Sequence, residues 1–234
     1  MKPATAAAYG LDNRQAVVTA ALDARANRYD VVSRLADDLA HEIKNPLNAI
    51  VVNLEVLRRK IAVGAAEAAL ERANVVDEEI MRVHTLVDQL LQLIRPPRSE
   101  PGPVSLDSVL DELRPLLELQ AKAARAGFEM SADSGLFAKI ERHVLKFAVL
   151  NLIVAIYAAA AVDESITIET RATGADAEIV IRSHASGLQA TDAFVREARE
   201  LIASAGGELE ITEPSGSGAG STAVLRVASC SSFA

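Results

Sequence analysis

Tryptophan is missing from this chain and the other aromatics are few: together they make up 3% of its 234 residues. Half of the residues are apolar, so a core can be built, but it must be aliphatic, which suits seams of Leu, Val, Ile and Ala between helices. The one cysteine, Cys230, rules out an internal disulfide and makes a reducing compartment the default. Basic residues do not dominate. The formal charge of −8 argues against a nucleic-acid binder, because phosphate neutralisation needs clustered cations. Long apolar runs are lacking too. The longest, around residues 147–162, is rich in alanine and carries Asn151 and Tyr157, so no membrane span is expected. The N-terminus lacks the charged and apolar regions of a signal peptide. The expectation is a cytoplasmic protein that binds neither nucleic acid nor membrane.

What the chain has in quantity is helical periodicity. Leu35, Leu39, Ile43, Leu47, Ile50, Leu54, Leu57 and Ile61 recur by threes and fours, which predicts a helix over residues 30–61 with one buried stripe. Residues 1–29 are alanine-rich with little periodicity and read as a lead-in, a frayed helix or a flexible arm. Gly64 marks a stop. From Ala65 a second stripe runs through Leu70, Ala73, Val76, Ile80, Val83, Val87, Leu90 and Ile94. Two long helices with a short connection must lie antiparallel. One hairpin cannot enclose two such seams, so the hairpin over residues 30–95 is expected to pair with a second copy as a homodimeric four-helix bundle.

Within the first helix stands His41-Glu42-Ile43-Lys44-Asn45-Pro46-Leu47. At about 100° per residue, His41 lies roughly 160° from both Leu39 and Ile43, so it points into solvent. Asn45 shares its face, and Glu42 is about a quarter-turn round the helix. Pro46 deletes a backbone donor and pushes on the carbonyl of Glu42, so a bend is expected beside the histidine. Such a proline costs roughly 3 kcal/mol in an ordinary helix interior, and the packing pattern does not ask for it. A neutral imidazole has one lone-pair nitrogen and one N–H nitrogen. With Glu42 accepting the N–H, the other nitrogen becomes a better nucleophile toward phosphorus. Asn45 could hold a phosphoryl oxygen or position a water. His84, beside Val83 on the second helix, reads as a structural or surface residue.

A proline-rich linker over residues 96–103 separates a second unit over residues 104–234. Ser105 can cap a helix over residues 106–126 that Gly127 closes. A strand at residues 128–130 and a helix at 137–161 follow. Residues 166–170 and 178–181 alternate like a hairpin, with Gly174-Ala175-Asp176 near the turn. A helix at 192–205 ends at Gly206-Gly207, and strands at 208–212 and 221–227 flank a Gly/Ser-rich loop. The whole is expected to be an α+β protein: a helical hairpin followed by an α/β sandwich.

The seven residues from His41 to Leu47 resemble the H-box of bacterial sensor histidine kinases, His-Glu-x-x-Asn/Thr-Pro-Leu in mid-helix. The resemblance implies that His41 is the phosphorylated residue, and that the hairpin is the family's dimerisation and phosphotransfer domain. The element order of the second unit resembles the family's ATP-binding domain, as do Val104-Ser105-Leu106, Asn151-Leu152-Ile153 and Gly206-Gly207-Glu208-Leu209. The departures are equally definite. Where the family pattern Asn-Leu-x-x-Asn-Ala has its second asparagine, a Mg²⁺ ligand, this chain has Ala155, and a methyl group cannot bind a hard cation. Where the family has Asp-x-Gly-x-Gly, it has Ser183-His184-Ala185-Ser186-Gly187. Only Leu188 to Thr191 then precede the final helix, which leaves no room for the family's nucleotide lid. Gly216, Gly218 and Gly220 form a cluster that is more often a turn than a phosphate cradle. Asn151 is expected to serve a core hydrogen bond or a helix cap.

With these elements absent, the resemblance implies a histidine phosphotransferase of a two-component phosphorelay. His41, Glu42 and Asn45 would relay a phosphoryl group between receiver-domain aspartates, with no cofactor bound by this chain and Mg²⁺ held by the partner receiver. The partners would be response-regulator receiver domains, one of which a hybrid kinase could carry, and a second copy of the chain. The alternatives are an active kinase, a phosphatase that steers water onto an aspartyl phosphate, and a binding protein that grips a receiver without transfer.

Overall fold

The computed structural model describes residues 5–94, 102–132, 135–159, 165–184, 188–212 and 220–230. Helix α1 (Thr5–Ala62) is helical from Thr5 onward and runs through Pro46. It therefore takes in most of the stretch read as a lead-in. The chain reverses at Gly64, whose φ of +73° is a left-handed conformation that suits a residue without Cβ. Helix α2 (Ala66–Ile94) returns against α1. Ala69, Val76 and Leu86 of α2 are buried, and Pro46 of α1 with them. Ala49, Ile50, Asn53, Val56 and Leu57 are half-buried in the same seam. Arg72 reaches across it to donate to Asn53 Oδ1 (3.5 Å).

The single stripe read along α1 is divided between two environments. Val31, Leu35 and Leu39 are fully buried and belong to the core of the following α/β unit, with Ile43 packed at its edge. Leu47, Leu54 and Ile61, by contrast, are 46%, 37% and 63% exposed. The second stripe divides likewise, with Val76 buried and Leu70, Ile80 and Val87 exposed. Periodicity marks which positions are apolar, but it does not say what covers them.

The α/β unit comprises β1 (Val104–Ser105), α3 (Leu106–Ala123), β2 (Gly127–Ser131), β3 (Phe137–Ala138), α4 (Arg142–Ala159), β4 (Ser165–Thr173), β5 (Asp176–Ser183), α5 (Ala193–Ser204), β6 (Glu208–Thr212) and β7 (Ser221–Cys230). The sheet order is β1-β3-β7-β5-β4-β2, with β6 also paired to β7. β2 runs parallel to β4, and the other pairs are antiparallel. Ser105 caps α3, its hydroxyl accepting from the Ser108 amide (3.2 Å). Asp192 caps α5 in the same way, through Phe194 and Val195. After α3, Arg125 takes the left-handed conformation (φ 54°) and Gly127 opens β2, so glycine does not close that helix. Phe137 and Ala138, read as helix, form β3 instead. They pair with Ser105 and Val104 on one side and with Cys230 and Ser229 on the other. Those partners are distant in sequence and supply the hydrogen bonds that override the local pattern.

One sheet face carries Ile166, Ile168, Ile179, Ile181, Ala223 and Leu225 into a core shared with Leu110, Leu117, Leu152, Ile156, Val195 and Ile202 of the three helices. The opposite face is mostly polar, with Val180 and Val224 the apolar pair at its middle. Register lines up Arg171, Glu178, Arg226 and Glu208 across β4, β5, β7 and β6, an alternating row of charges. Glu178 Oε2 accepts from Arg171 (2.6 Å) and Oε1 from Arg226 (2.9 Å), and its side chain is 1% exposed. Burial alone would raise its carboxyl. The bonds from Arg171 and Arg226 outweigh that and hold it below its ordinary value near 4.5. A carboxyl depressed in the folded state contributes stability that is complete above its unfolded value and is lost as pH falls through the folded one. Glu178→Gln should therefore cost about 1–3 kcal/mol at neutral pH. In urea titrations the gap between variant and parent should close as the solution is acidified below the carboxylate range; a gap that persists there would assign the effect to packing.

Candidate functional site

His41, Glu42 and Asn45 all lie on α1 just below the point where it leaves the α/β unit, and their side chains go different ways. His41 is exposed, as its distance from the stripe requires, and its imidazole has no hydrogen-bond partner among the described residues. Glu42 is turned toward the junction of three helices, and its side chain is 12% exposed. There its Oε2 meets Lys122 Nζ of α3 (3.3 Å) and Arg82 Nη2 of α2 (3.6 Å). Arg82 also lies 3.9 Å from Glu79. The other oxygen, Oε1, accepts a long bond from Asn45 Nδ2 (3.5 Å). Both oxygens are thus engaged, neither of them by His41. The expected Glu42–imidazole bond is not formed in this arrangement, because the cations of α2 and α3 approach the carboxylate from the other side.

The junction is held by more than ions. The Leu35 and Leu39 side chains sit in the core beneath α3, α4 and α5. Gln120 of α3 donates to Asp38 Oδ2 (3.0 Å). The Arg34 guanidinium lies 4.9 Å from the ring centroid of Phe194 on α5, a cation–π contact. Sequence reading did not find Lys122, Arg82 or Gln120. Nothing local singles them out, since Lys122 and Glu42 are eighty positions apart. His84 is exposed and takes no part in the junction.

Asn151 is fully buried in α4 and donates to the Phe147 carbonyl one turn back (2.8 Å), while its Oδ1 has no hydrogen-bond partner among the described residues. Ala155, one turn further on, is buried among aliphatic side chains. Residues 184–192 alone connect β5 to α5. Of these, Ala185, Ser186 and Gly187 lie outside the described residues, as do Gly216 and Gly218. Gly220 is described, and its role is close packing: a Cβ there would collide with the Ser183 carbonyl. Gly207 is similar, with the Arg226 carbonyl 2.6 Å from where a Cβ would stand.

Residues 31–97 match the family described as the His Kinase A (phospho-acceptor) domain, a span that begins at the buried Val31 of α1 and contains His41. The signal transduction histidine-protein kinase AtoS of Escherichia coli (strain K12) is 30% identical over 132 residues, 56% of this chain. The chain is histidine-kinase-like. The sensory histidine kinase/phosphatase NtrB of Rhodobacter capsulatus is 35% identical over 96 residues, 40% of this chain. These alignments span 21% and 23% of the two relatives' own lengths. Among solved structures, the catalytic domain of histidine kinase ThkA aligns with 54% of this chain and 94% of its own, at 13% identity and a TM-score of 0.47. No helix among the described residues is long and apolar enough to cross a membrane.

In this kinase-like hairpin, Pro46 is buried where α1 faces α2. It leaves the Glu42 carbonyl without a helical donor, so the turn that carries the histidine and its acidic neighbour is the one relieved of a backbone bond.

Proposed function

We propose that this chain is a histidine phosphotransferase that works between receiver domains and binds no ATP. A lone-pair nitrogen of the His41 imidazole attacks the phosphorus of a receiver's aspartyl phosphate. The P–N bond forms as the bond to the carboxylate oxygen breaks, and the aspartate leaves as carboxylate. Once Glu42 turns from the junction toward the ring, it shares or takes the proton on the other ring nitrogen, and Asn45 stands on the same face to hold a phosphoryl oxygen. Mg²⁺ belongs to the receiver in this scheme. In the second step a carboxylate oxygen of another receiver's aspartate attacks the phosphorus, the P–N bond breaks, and the imidazole takes its proton back from Glu42.

The observation that carries this reading is an exposed His41, flanked by Glu42 and Asn45 on one helix. The nucleotide side is what sets it apart from a kinase. Ala155 offers no oxygen to a cation, the β5–α5 connection is short, and Gly220 is packed against β5. The test is to incubate the purified chain with a phosphorylated receiver domain and look for acid-labile label on it. Transfer of label supports the relay. Saturable binding of an ATP analogue at micromolar concentration, with labelling from ATP, would replace it with a kinase.

A second reading has its own support. Asn45 bonds to Glu42 while His41 stands apart, an arrangement that suits orienting a water toward a receiver's aspartyl phosphate. For that phosphatase, dephosphorylation of the receiver would continue with alanine at position 41.

The exposed Leu47, Val51, Leu54 and Ile61 of α1, with Ile80, Val87 and Leu91 of α2, support a homodimer in which two hairpins form a four-helix bundle. Leu54→Glu would place a charge in that seam. The variant is expected to sediment as a monomer with an unchanged far-ultraviolet spectrum, and one that stays dimeric would remove this face from the interface.

A further inference from the structure

We propose that Lys122 is a positioning residue for the H-box: from the α/β unit it holds the Glu42 carboxylate on the junction side of α1, so that the docked unit keeps this group off the His41 imidazole. The inference rests on the phosphotransferase reading for its consequence, but not for its geometry. Lys122 Nζ sits 3.3 Å from Glu42 Oε2, on the side of α1 facing α3, and Asn45 takes Oε1. Arg82 is farther away, at 3.6 Å, and is shared with Glu79. The imidazole, about 100° round the helix, has no partner among the described residues.

Two features make this a restraint that can yield. The Lys122 side chain is 60% exposed, so its pairing is screened by water and exchanges readily. Docking itself does not depend on it, because Val31, Leu35 and Leu39 are buried in the shared core and Gln120 and Arg34 supply separate contacts. Removing the ammonium should let the carboxylate turn toward the ring while the two units stay together. In functional terms the second unit, in place of delivering a nucleotide, sets how readily the histidine accepts a phosphoryl group. A receiver that engaged Lys122 with its own acidic groups would relieve the restraint as it docked.

The experiment uses the full chain with ¹⁵N-labelled histidine and reads the tautomer of His41. Lys122→Met keeps the aliphatic stem and removes the charge. It is expected to shift the tautomer of His41, because a neighbouring carboxylate selects the N–H on the nitrogen it faces, and to speed transfer from a phosphorylated receiver about two- to fivefold, the range for an exposed ion pair. Lys122→Arg should behave as the parent, and adding Glu42→Gln to Lys122→Met should abolish the tautomer change. Hydrogen exchange of residues 31–39 should be unaltered throughout. An unchanged tautomer in Lys122→Met, a change that survives Glu42→Gln, or a slower transfer would overturn the proposal. If the parent itself takes no phosphoryl group the relay reading fails, and the tautomer result still decides the role of Lys122.

Discussion

Glutamine in place of His41 is expected to leave the chain unlabelled after incubation with a phosphorylated receiver, under conditions that label the parent. The loss should be complete, because an amide side chain has no nitrogen lone pair basic enough to attack phosphorus. The result would be interpretable because position 41 is exposed and its side chain bonds to none of the described residues. Thermal melting should therefore match the parent, surface substitutions of this kind usually staying within about 0.5 kcal/mol. If label still appears, another residue accepts the phosphoryl group and the resemblance to the H-box misleads. If label is lost while the receiver is still dephosphorylated at the parental rate, the phosphatase reading gains.

The second large effect is on stability. Leu39 is fully buried in the core that joins α1 to the α/β unit. Leu39→Asp places a carboxylate there beside Asp38, which already accepts from Gln120. Breaking a buried pair, the nearest measured analogue of an unpaired buried charge, costs about 3–5 kcal/mol, and the lost apolar burial adds roughly 1.5–3 kcal/mol. Against a typical total of about 5–15 kcal/mol, the variant should unfold at much lower urea and be cut rapidly by protease within α1. Leu47→Asp, eight residues on along the same sequence stripe but 46% exposed, should leave the monomer's stability nearly unchanged. Equal effects at the two positions would contradict the division of the stripe.

That division also shows how far the sequence could be read. The two long helices, the Gly64 reversal, the Ser105 cap and the β4–β5 hairpin rest on local signals: period, capping chemistry and alternation. The candidate site rests on the same kind of signal, since His41, Glu42 and Asn45 lie within two turns of one helix. What was missed depends on distant partners. Phe137 and Ala138 look apolar enough for a helix, yet they complete a sheet whose other strands begin at Val104 and end at Cys230. Leu35 and Leu54 look alike in the sequence, and they differ because an α/β unit more than sixty residues further on lies against one of them. The engagement of Glu42 by Lys122 belongs to the same class. A side chain's neighbour along the helix can be counted off, but its neighbour across a junction cannot.

The burial of Val31, Leu35 and Leu39 in one core with Val195, Ala198 and Ile202 sets an order on biosynthesis. A ribosome adding about 5–20 residues per second delivers the first group many seconds before the second. During that interval α1 has an uncovered greasy flank, which nascent-chain chaperones are suited to shield. Truncating the message before the codon for Val195 should therefore leave a polypeptide that aggregates, although its helical hairpin is complete.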